Sequence, residues 1–256
     1  MSAPTVRVLG DAQGVAETAA DQVIAAATAA VAARGIFHLC TTGGSTPAAL
    51  YRALREPSRA AQMPWRETQI WFGDDRFVPR ADPLSNVAPL DAQLLTASPN
   101  GAASPLVASA VHPWPTTAAD APTAVGAYLE ELRAAGVPHT PAGFPIFDLV
   151  LIGIGGDGHC LSVFPGSPLA LEGASVAAGV PAPTHIEPQV PRLSFSLGVL
   201  ASARAVLALA PGAGKADALA RIFTTATVLA DAPAKAALIP QATWLLDTAS
   251  AEKLPA

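Results

Sequence analysis

The chain has 256 residues, of which 51% are hydrophobic and 14% charged, with a formal net charge of −5 and a mean hydropathy of +0.37. This composition predicts a large buried core and excludes extensive disorder. The acidic balance and the absence of Lys or Arg runs argue against a nucleic acid as the main partner, although a few local cations could still hold an anionic small molecule.

The first half of the chain predicts alternating helices and strands. In chain order these are a helix at 14–34, a strand at 36–42, a helix at 46–54, a strand at 68–76, and helices at 88–95 and 123–136. Gly35 is expected to close the first helix, while Thr46 is expected to cap the second, with Pro47 as its first residue. A loop rich in Pro, Ala and Ser separates the last two helices, from about 97 to 122.

The second half continues the alternation after an irregular, proline-rich stretch. It predicts strands at 147–153, 192–197 and 205–210, a helix at 214–223, and a last strand with a short helix within 243–254. The whole pattern predicts an α/β fold in a single domain over residues 1–256: a doubly wound, mostly parallel sheet with helices on both faces.

The N-terminal residues, the first helix, and the cysteines and histidines indicate the cellular compartment and the metal content. The first ten residues lack the basic and apolar regions of a signal peptide, and the alanine-rich first helix carries Glu17 and Asp21, so it does not read as a membrane span. Cys40 and Cys160 form neither a disulfide framework nor a zinc pattern, and the histidines lack metal spacing. We expect a cytoplasmic protein that contacts no membrane and holds no metal.

Polar, glycine-rich segments follow three of the predicted strands, at 41–47, 74–76 and 155–159. In parallel sheets, ligands bind where strands end at their carboxyl edge. The shared position of these segments therefore predicts a ligand site at that edge.

The glycines after the strand at 147–153 match the spacing G-x-G-x-x-G, but three features argue against a dinucleotide turn. Pro165 follows within two turns, where a dinucleotide-binding helix would have to continue. No acidic residue closes a strand about twenty residues further on, where the ribose partner belongs. Asp157 would also place a negative charge against the pyrophosphate. We therefore expect no nicotinamide cofactor.

Asp157 and His159 in this turn have two interpretations. Histidine titrates near neutrality and can take a proton from water, and a nearby carboxylate can fix its tautomer. Alternatively, Asp157 caps the following turn and His159 satisfies a backbone carbonyl. Taken alone, the triplet favours the structural interpretation, so the choice depends on the other loops.

The loop at 41–47 precedes a helix, so its backbone N–H groups and the positive helix end suit a phosphate monoester. It is equally compatible with a plain strand–turn–helix connection. Lys215, Arg76 and Arg192 are candidate phosphate cations, each otherwise an ordinary surface charge. Neither the loop at 41–47 nor the glycine segment before Lys215 has the residue spacing of a Walker phosphate-binding loop.

Taken together and in order, the motifs resemble the 6-phosphogluconolactonase family over nearly the whole chain. They are GGSTP, GDDRFVP followed by SN, FDLVLIGIGGDGHCLSVFPG, PRLSFSLGVLASA, GAGKADAL and ATWLLD. The resemblance implies a fold related to glucosamine-6-phosphate deaminases. It also implies hydrolysis of 6-phospho-D-glucono-1,5-lactone to 6-phosphogluconate, in the oxidative pentose phosphate pathway, with neither a metal nor an organic cofactor.

The resemblance assigns roles to individual residues. His159 matches the histidine that activates the attacking water, with Asp157 before it, and Arg76 matches an arginine close to the substrate phosphate. The other matching residues are Gly43, Gly44 and Ser45 in the glycine loop, Lys215, and Arg192 at the start of a family strand. The chain departs from the family pattern at Asp75 in place of glutamate, Gly156 in place of proline and Cys160 in place of threonine.

The implied chemistry needs donors for a lactone oxyanion, and the backbone N–H groups of Gly155 and Gly156 are the candidates. Two rivals remain open to test. A glucosamine-6-phosphate deaminase would need an acidic residue shortly after His159, where none precedes Glu172, and a tyrosine where this chain has Arg76. A sugar-phosphate sensor would need a DNA-binding segment, which the pattern lacks. The oligomeric state is left open between a monomer and a weak dimer.

Overall fold

The computed structural model describes residues 3–97 and 105–255, without the side chain of Ser45. Within these ranges the strands are β1 (Thr5–Leu9), β2 (Phe37–Thr41), β3 (Thr68–Phe72), β4 (Asp74–Arg76), β5 (Val111–His112), β6 (Leu149–Gly153), β7 (Ala177–Val180), β8 (Arg192–Phe195), β9 (Val206–Ala210) and β10 (Ala242–Asp247). The α-helices are α1 (Ala12–Arg34), α2 (Ser45–Leu54), α3 (Pro57–Ala60), α4 (Ala88–Leu90), α5 (Ala121–Ala134), α6 (Gly198–Ser202) and α7 (Ala216–Phe223).

The larger sheet has seven strands in the order β1-β10-β9-β6-β2-β3-β5, and all its pairings are parallel. From β2 the chain moves outward through β3 to β5, whereas from β6 it moves the other way through β9 to β10. Right-handed crossovers then place the connections on opposite faces, so the predicted doubly wound sheet is confirmed. The reversal lies between β2 and β6, and ligands bind at such switch points, outside the carboxyl ends of the strands.

A smaller antiparallel sheet, in the order β4-β8-β7, was not predicted. The single strand expected at 68–76 is therefore wrong, because the chain leaves the large sheet at Gly73. A Cβ at that position would lie 2.6 Å from the Leu161 side chain, so a larger residue would have to displace Leu161. The Gly73 N–H donates to Thr41 O, while its carbonyl accepts from Phe195 N. Gly73 thus joins the two sheets.

The caps of α1 explain where that helix begins and ends, whereas two predicted helix features are not observed. Asp11 caps α1 by accepting from Gly14 N at 2.8 Å, and Gly35 ends it at φ 75°, as predicted for that glycine. Thr46 does not cap α2, because Gly44 at φ 98° turns the chain into the helix two residues earlier. The short helix expected after β10 is also wrong, because Ser250 bonds back to Asp247 and holds turns there.

Buried aromatic residues fix the end of β3. Tyr128 and Trp114 are almost fully buried, and both bond to the backbone of Phe72: Phe72 N donates to Tyr128 Oη at 2.8 Å, and Trp114 Nε1 donates to Phe72 O at 2.9 Å. Burying such rings contributes about 2 to 3 kcal/mol each. The start of the smaller sheet is therefore held by the core. Across the described residues, no helix is long and apolar enough to cross a membrane.

Candidate active site

A cavity of about 250 Å³ opens at the carboxyl edge of the large sheet, beside the switch point between β2 and β6. Seven of the ten predicted site residues line it, namely Gly43, Gly44, Arg76, Gly155, His159, Arg192 and Lys215. They come from the ends of β2 and β6, from β4 and β8 of the smaller sheet, and from the turn after β9. Asp157 lies behind His159, and Gly156 is exposed next to it; the Ser45 side chain lies outside the described residues.

His159 is held by the turn after β6. Its Nδ1 lies 2.5 Å from Asp157 Oδ1, and its backbone N–H donates to the same oxygen at 3.1 Å. A Cβ at residue 155 would lie 2.0 Å from His159 Nδ1, so the imidazole packs directly over Gly155, and Gly158 makes the turn at φ 88°. The His159 Nε2 has no hydrogen-bond partner in the described part of the chain.

The carboxyl group of Asp157 sets the chemistry of that imidazole. Burial by itself would raise the pKa of Asp157, but the hydrogen bonds and charge of His159, with a further bond from His185, hold it well below its usual range. Asp157 is therefore a carboxylate at neutral pH. It accepts from Nδ1–H, which leaves Nε2 of the neutral ring unprotonated and able to accept a proton from water.

Three cations line the cavity without a carboxylate partner within 4.0 Å among the described residues: Arg76, Arg192 and Lys215. Arg76 and Arg192 face each other in the antiparallel register of β4 and β8. Their Nη groups donate to carbonyls, of Leu84 at 2.6 Å and Pro188 at 2.8 Å, while the Nε of each is buried without a partner. Burial and the charge of Arg76 lower the pKa of Arg192. Such uncompensated charge favours an anionic ligand.

Two neighbouring carboxylates are engaged elsewhere by neutral donors. Asp74 Oδ2 accepts from Ser162 Oγ at 2.6 Å, and its Oδ1 accepts from Asn86 Nδ2 at 3.2 Å. Asp75 Oδ1 accepts from the backbone N–H of Asn86 at 2.6 Å and of Arg76 at 2.7 Å. Burial raises the pKa of Asp75 to about 6. These bonds anchor the loop after β4 against the cavity wall.

The glycine loop after β2 packs closely against Asn86 in the cavity wall. A Cβ on Gly43 would lie 2.0 Å from Asn86 Oδ1, so a side chain there would displace Asn86. Gly44 then starts the ten-residue helix α2, whose N-terminal residues Thr46 and Pro47 also line the cavity. The positive end of this helix adds to the three cations.

The expectation that Gly155 supplies an oxyanion donor is wrong for this conformation. Its N–H donates to the carbonyl of His159 at 2.8 Å, which closes the turn. The N–H of Gly156 has no acceptor in the part of the chain that the structure describes, so that residue stays a candidate.

Sequence reasoning missed two residues of the site. Asn86 stood in the recognised SN pair but received no role, although it bridges Gly43 and Asp74. His185 places Nε2 at 2.9 Å from Asp157 Oδ2, across 28 positions in sequence. It lies in a proline-rich stretch with no periodicity, so no local signal identified it.

Comparisons with known proteins identify the family of this chain. The family described as glucosamine-6-phosphate isomerases/6-phosphogluconolactonase matches residues 10–245. A 6-phosphogluconolactonase of Streptomyces coelicolor is 35% identical over 98% of this chain and 95% of its own length. One of Synechocystis is 35% identical over 98% and 99%. The solved structure of a 6-phosphogluconolactonase from Trypanosoma brucei has a TM-score of 0.84 at 27% identity, covering 98% of this chain and 99% of that one.

Proposed function

The chain belongs to the glucosamine-6-phosphate isomerase/6-phosphogluconolactonase family, and within it we propose that this protein hydrolyses 6-phospho-D-glucono-1,5-lactone to 6-phosphogluconate. The single observation that carries the proposal is one cavity in which a carboxylate-held histidine faces three unpaired cations. This matches a substrate with a phosphate at one end and a carbonyl that water can attack at the other. Full-length relatives that carry the lactonase name support the choice.

The cations and the start of α2 bind the phosphate. A phosphate monoester carries about −1.5 to −2 charges at neutral pH, which Arg76, Arg192 and Lys215 offset. In the described part of the chain, none of the three has a carboxylate within 4.0 Å. Binding the remote phosphate orients the lactone ring, so that its carbonyl carbon lies near His159. Orientation of this kind lowers the activation barrier without any contact to the reacting atoms.

His159 then acts as the base. Nε2 takes a proton from a water molecule as the water oxygen attacks C1, and the carbonyl oxygen becomes an oxyanion, for which Gly156 N–H is the candidate donor. The C1–O5 bond breaks as the tetrahedral intermediate collapses, and Nε2–H returns its proton to O5. The product acid loses its own proton to solvent. Asp157 remains a carboxylate throughout and stabilises the imidazolium.

The rival activity in this family acts on glucosamine 6-phosphate and requires a carboxylate base for proton transfer between carbons. Asp74 lines the cavity, but its two oxygens accept from Ser162 and Asn86. No acidic residue lies between His159 and Glu172, and Glu187, which also lines the cavity, accepts from Gln189 N at 3.2 Å. The lactonase reaction needs only the base that the site holds.

The test is hydrolysis of the phosphorylated lactone, generated in situ by oxidation of glucose 6-phosphate, and compared with its spontaneous rate. Ammonia release from glucosamine 6-phosphate is measured in parallel. We expect acceleration of the first reaction and none of the second. A lactone rate equal to the buffer rate would overturn the proposal, and ammonia release would identify the deaminase instead.

A further inference from the structure

Asp157 contacts two histidines, one on each carboxylate oxygen. His159 Nδ1 lies 2.5 Å from Oδ1, and His185 Nε2 lies 2.9 Å from Oδ2. The His159 and Asp157 side chains are largely buried, at 20% and 17% exposure, whereas His185 is 48% exposed. The carboxylate is thus fixed from both sides, with a buried imidazole toward the cavity and a half-exposed one toward solvent.

Phe164 packs against both imidazoles. Its ring centroid lies 4.8 Å from that of His159 and 5.7 Å from that of His185, where the two rings meet edge to face. The guanidinium of Arg192 lies over the same phenyl ring at 5.5 Å. The Phe164 ring therefore contacts His159, His185 and Arg192, which are the proposed base, the second histidine bonded to Asp157 and a proposed phosphate-binding cation.

We propose that His185 is a positioning residue for catalysis, which holds the Asp157 carboxylate in the orientation that directs Nε2 of His159 at the water. The inference rests on the proposed function and adds a group to its mechanism. Without the bond to Oδ2, Asp157 is held on that side only by its own turn. The carboxylate can then rotate, and the imidazole bonded to Oδ1 loses its direction.

The same geometry argues against a proton relay through Asp157 to His185. A relay would require Asp157 to be protonated in passing, but hydrogen bonds from both histidines outweigh burial and hold its pKa well below its usual range. The proton taken from water therefore stays on His159 until O5 receives it. His185 contributes direction and charge, and it transfers no proton.

The charged groups around His185 are Asp157 on the turn after β6, Glu187 on its own loop, and Arg221 and Asp231, which line with it a second cavity of about 660 Å³. Among the described residues, the only side-chain hydrogen bond of His185 is the one to Asp157 Oδ2. Loss of His185 therefore removes a support of this carboxylate and breaks no other side-chain hydrogen bond.

The test compares wild type, His185→Ala and His185→Gln. Glutamine keeps a neutral nitrogen donor at the position of Nε2 but cannot titrate. We expect His185→Ala to lower kcat about tenfold with little change in KM. His185→Gln should restore most of kcat. His139→Gln, a histidine that lines neither cavity, is the matched control and should resemble wild type.

A second measurement separates this inference from the proposed function. The ring protons of His159 are observed by NMR without substrate, in wild type, His185→Ala and His185→Gln. Chemical shifts that move in His185→Ala and return in His185→Gln support the positioning role even where no lactone is hydrolysed. Unchanged chemical shifts together with an unchanged kcat in His185→Ala would overturn that role. A lowered kcat that glutamine fails to restore would show loss of folding support alone and would overturn it too.

Discussion

Arginine and aspartate side chains lie at both edges of the large sheet, but their bonding partners differ between the two edges. At the amino edge, Asp148 precedes β6, and its Oδ1 accepts from Arg34 at 2.7 Å and pairs with Arg204 at 3.3 Å. Its Oδ2 accepts from the backbone N–H of His38 at 2.8 Å. At the carboxyl edge, Arg76 and Arg192 have no carboxylate partner within 4.0 Å among the residues that the structure describes, and the nearby aspartates accept from neutral donors instead.

The difference separates a structural cluster from a binding site. A cavity of about 250 Å³ opens at each edge, but at the amino edge Asp148 pairs with both arginines that line it, so this cluster ties α1 and the start of β6 together. The carboxyl-edge arginines line their cavity without an ion-pair partner among the described residues, which favours an anionic ligand. An unpaired cation beside a cavity is therefore better evidence of function than the residue type itself.

The largest expected effect is loss of the base. In His159→Asn the amide nitrogen can still donate to Asp157, but Nε2 is gone, so kcat should fall by about 10² to 10⁴. The melting temperature should change little, because the cavity wall is retained. Steady-state kinetics and thermal unfolding on the same preparation check both. A variant that retains wild-type kcat would contradict the role of His159.

Breaking the amino-edge cluster should have the opposite outcome. Asp148→Ala leaves Arg34 and Arg204 without their shared partner, and the free energy of unfolding should fall by about 3 kcal/mol. The kcat and KM of the remaining folded protein should match wild type. Denaturant unfolding and kinetics at low temperature measure the two quantities. An altered KM would mean that this cluster communicates with the site.

The pH dependence of stability should distinguish the carboxylates held by neutral donors. Burial raises the pKa of Asp75 to about 6, so between its ordinary value and 6 the folded state binds a proton that the unfolded chain releases. Its stabilising contribution is therefore complete below about pH 4 and lost as the pH rises through 6. Relative to Asp75→Asn, wild type should lose up to about 3 kcal/mol between pH 4 and pH 7. A constant difference between the two proteins would show that Asp75 does not titrate there.

Removing one unpaired cation should affect binding more than folding. Arg192→Gln should raise KM about tenfold, since a charge-assisted contact to the phosphate is lost. Its melting temperature should stay within a few degrees of wild type, because repulsion between Arg192 and Arg76 is relieved. The matched variant at the amino edge is Arg204→Gln, which should leave KM unchanged. Equal KM values in the two variants would remove the distinction between the edges.

Much of the large sheet could be predicted because its central strands are short apolar runs. The runs that form β2, β6, β9 and β10 are nearly fully buried, and each is followed by a polar turn. The split of residues 68–76 could not be predicted. It depends on Gly73 fitting against Leu161 and Thr41, which are distant in sequence. The edge strands β1 and β5 and the small-sheet strand β7 were also missed, because they are short or exposed and carry weak patterns.

The site residues also divide into those that the sequence indicated and those that depend on contacts between distant segments. Arg76 ends a strand, and His159 and Lys215 lie in the turns that follow strands; all three stand in recognisable motifs, so the sequence indicated them. Their common cavity follows from the meeting of parallel strand ends at one edge. The occupied N–H of Gly155 and the contact of His185 with Asp157 arise from the three-dimensional course of two loops. No spacing rule encodes either contact.

The most direct test of the unpaired-cation claim compares a lactone with and without its phosphate. The ratio of kcat/KM for 6-phosphogluconolactone to that for gluconolactone is measured in wild type and in the double variant Arg76→Gln, Arg192→Gln. We expect a large ratio in wild type that falls by about 10- to 100-fold in the double variant, because the proposed site assigns the lost charges to the phosphate. An unchanged ratio would mean that the phosphate lies elsewhere and that the carboxyl-edge arginines are not its binding site.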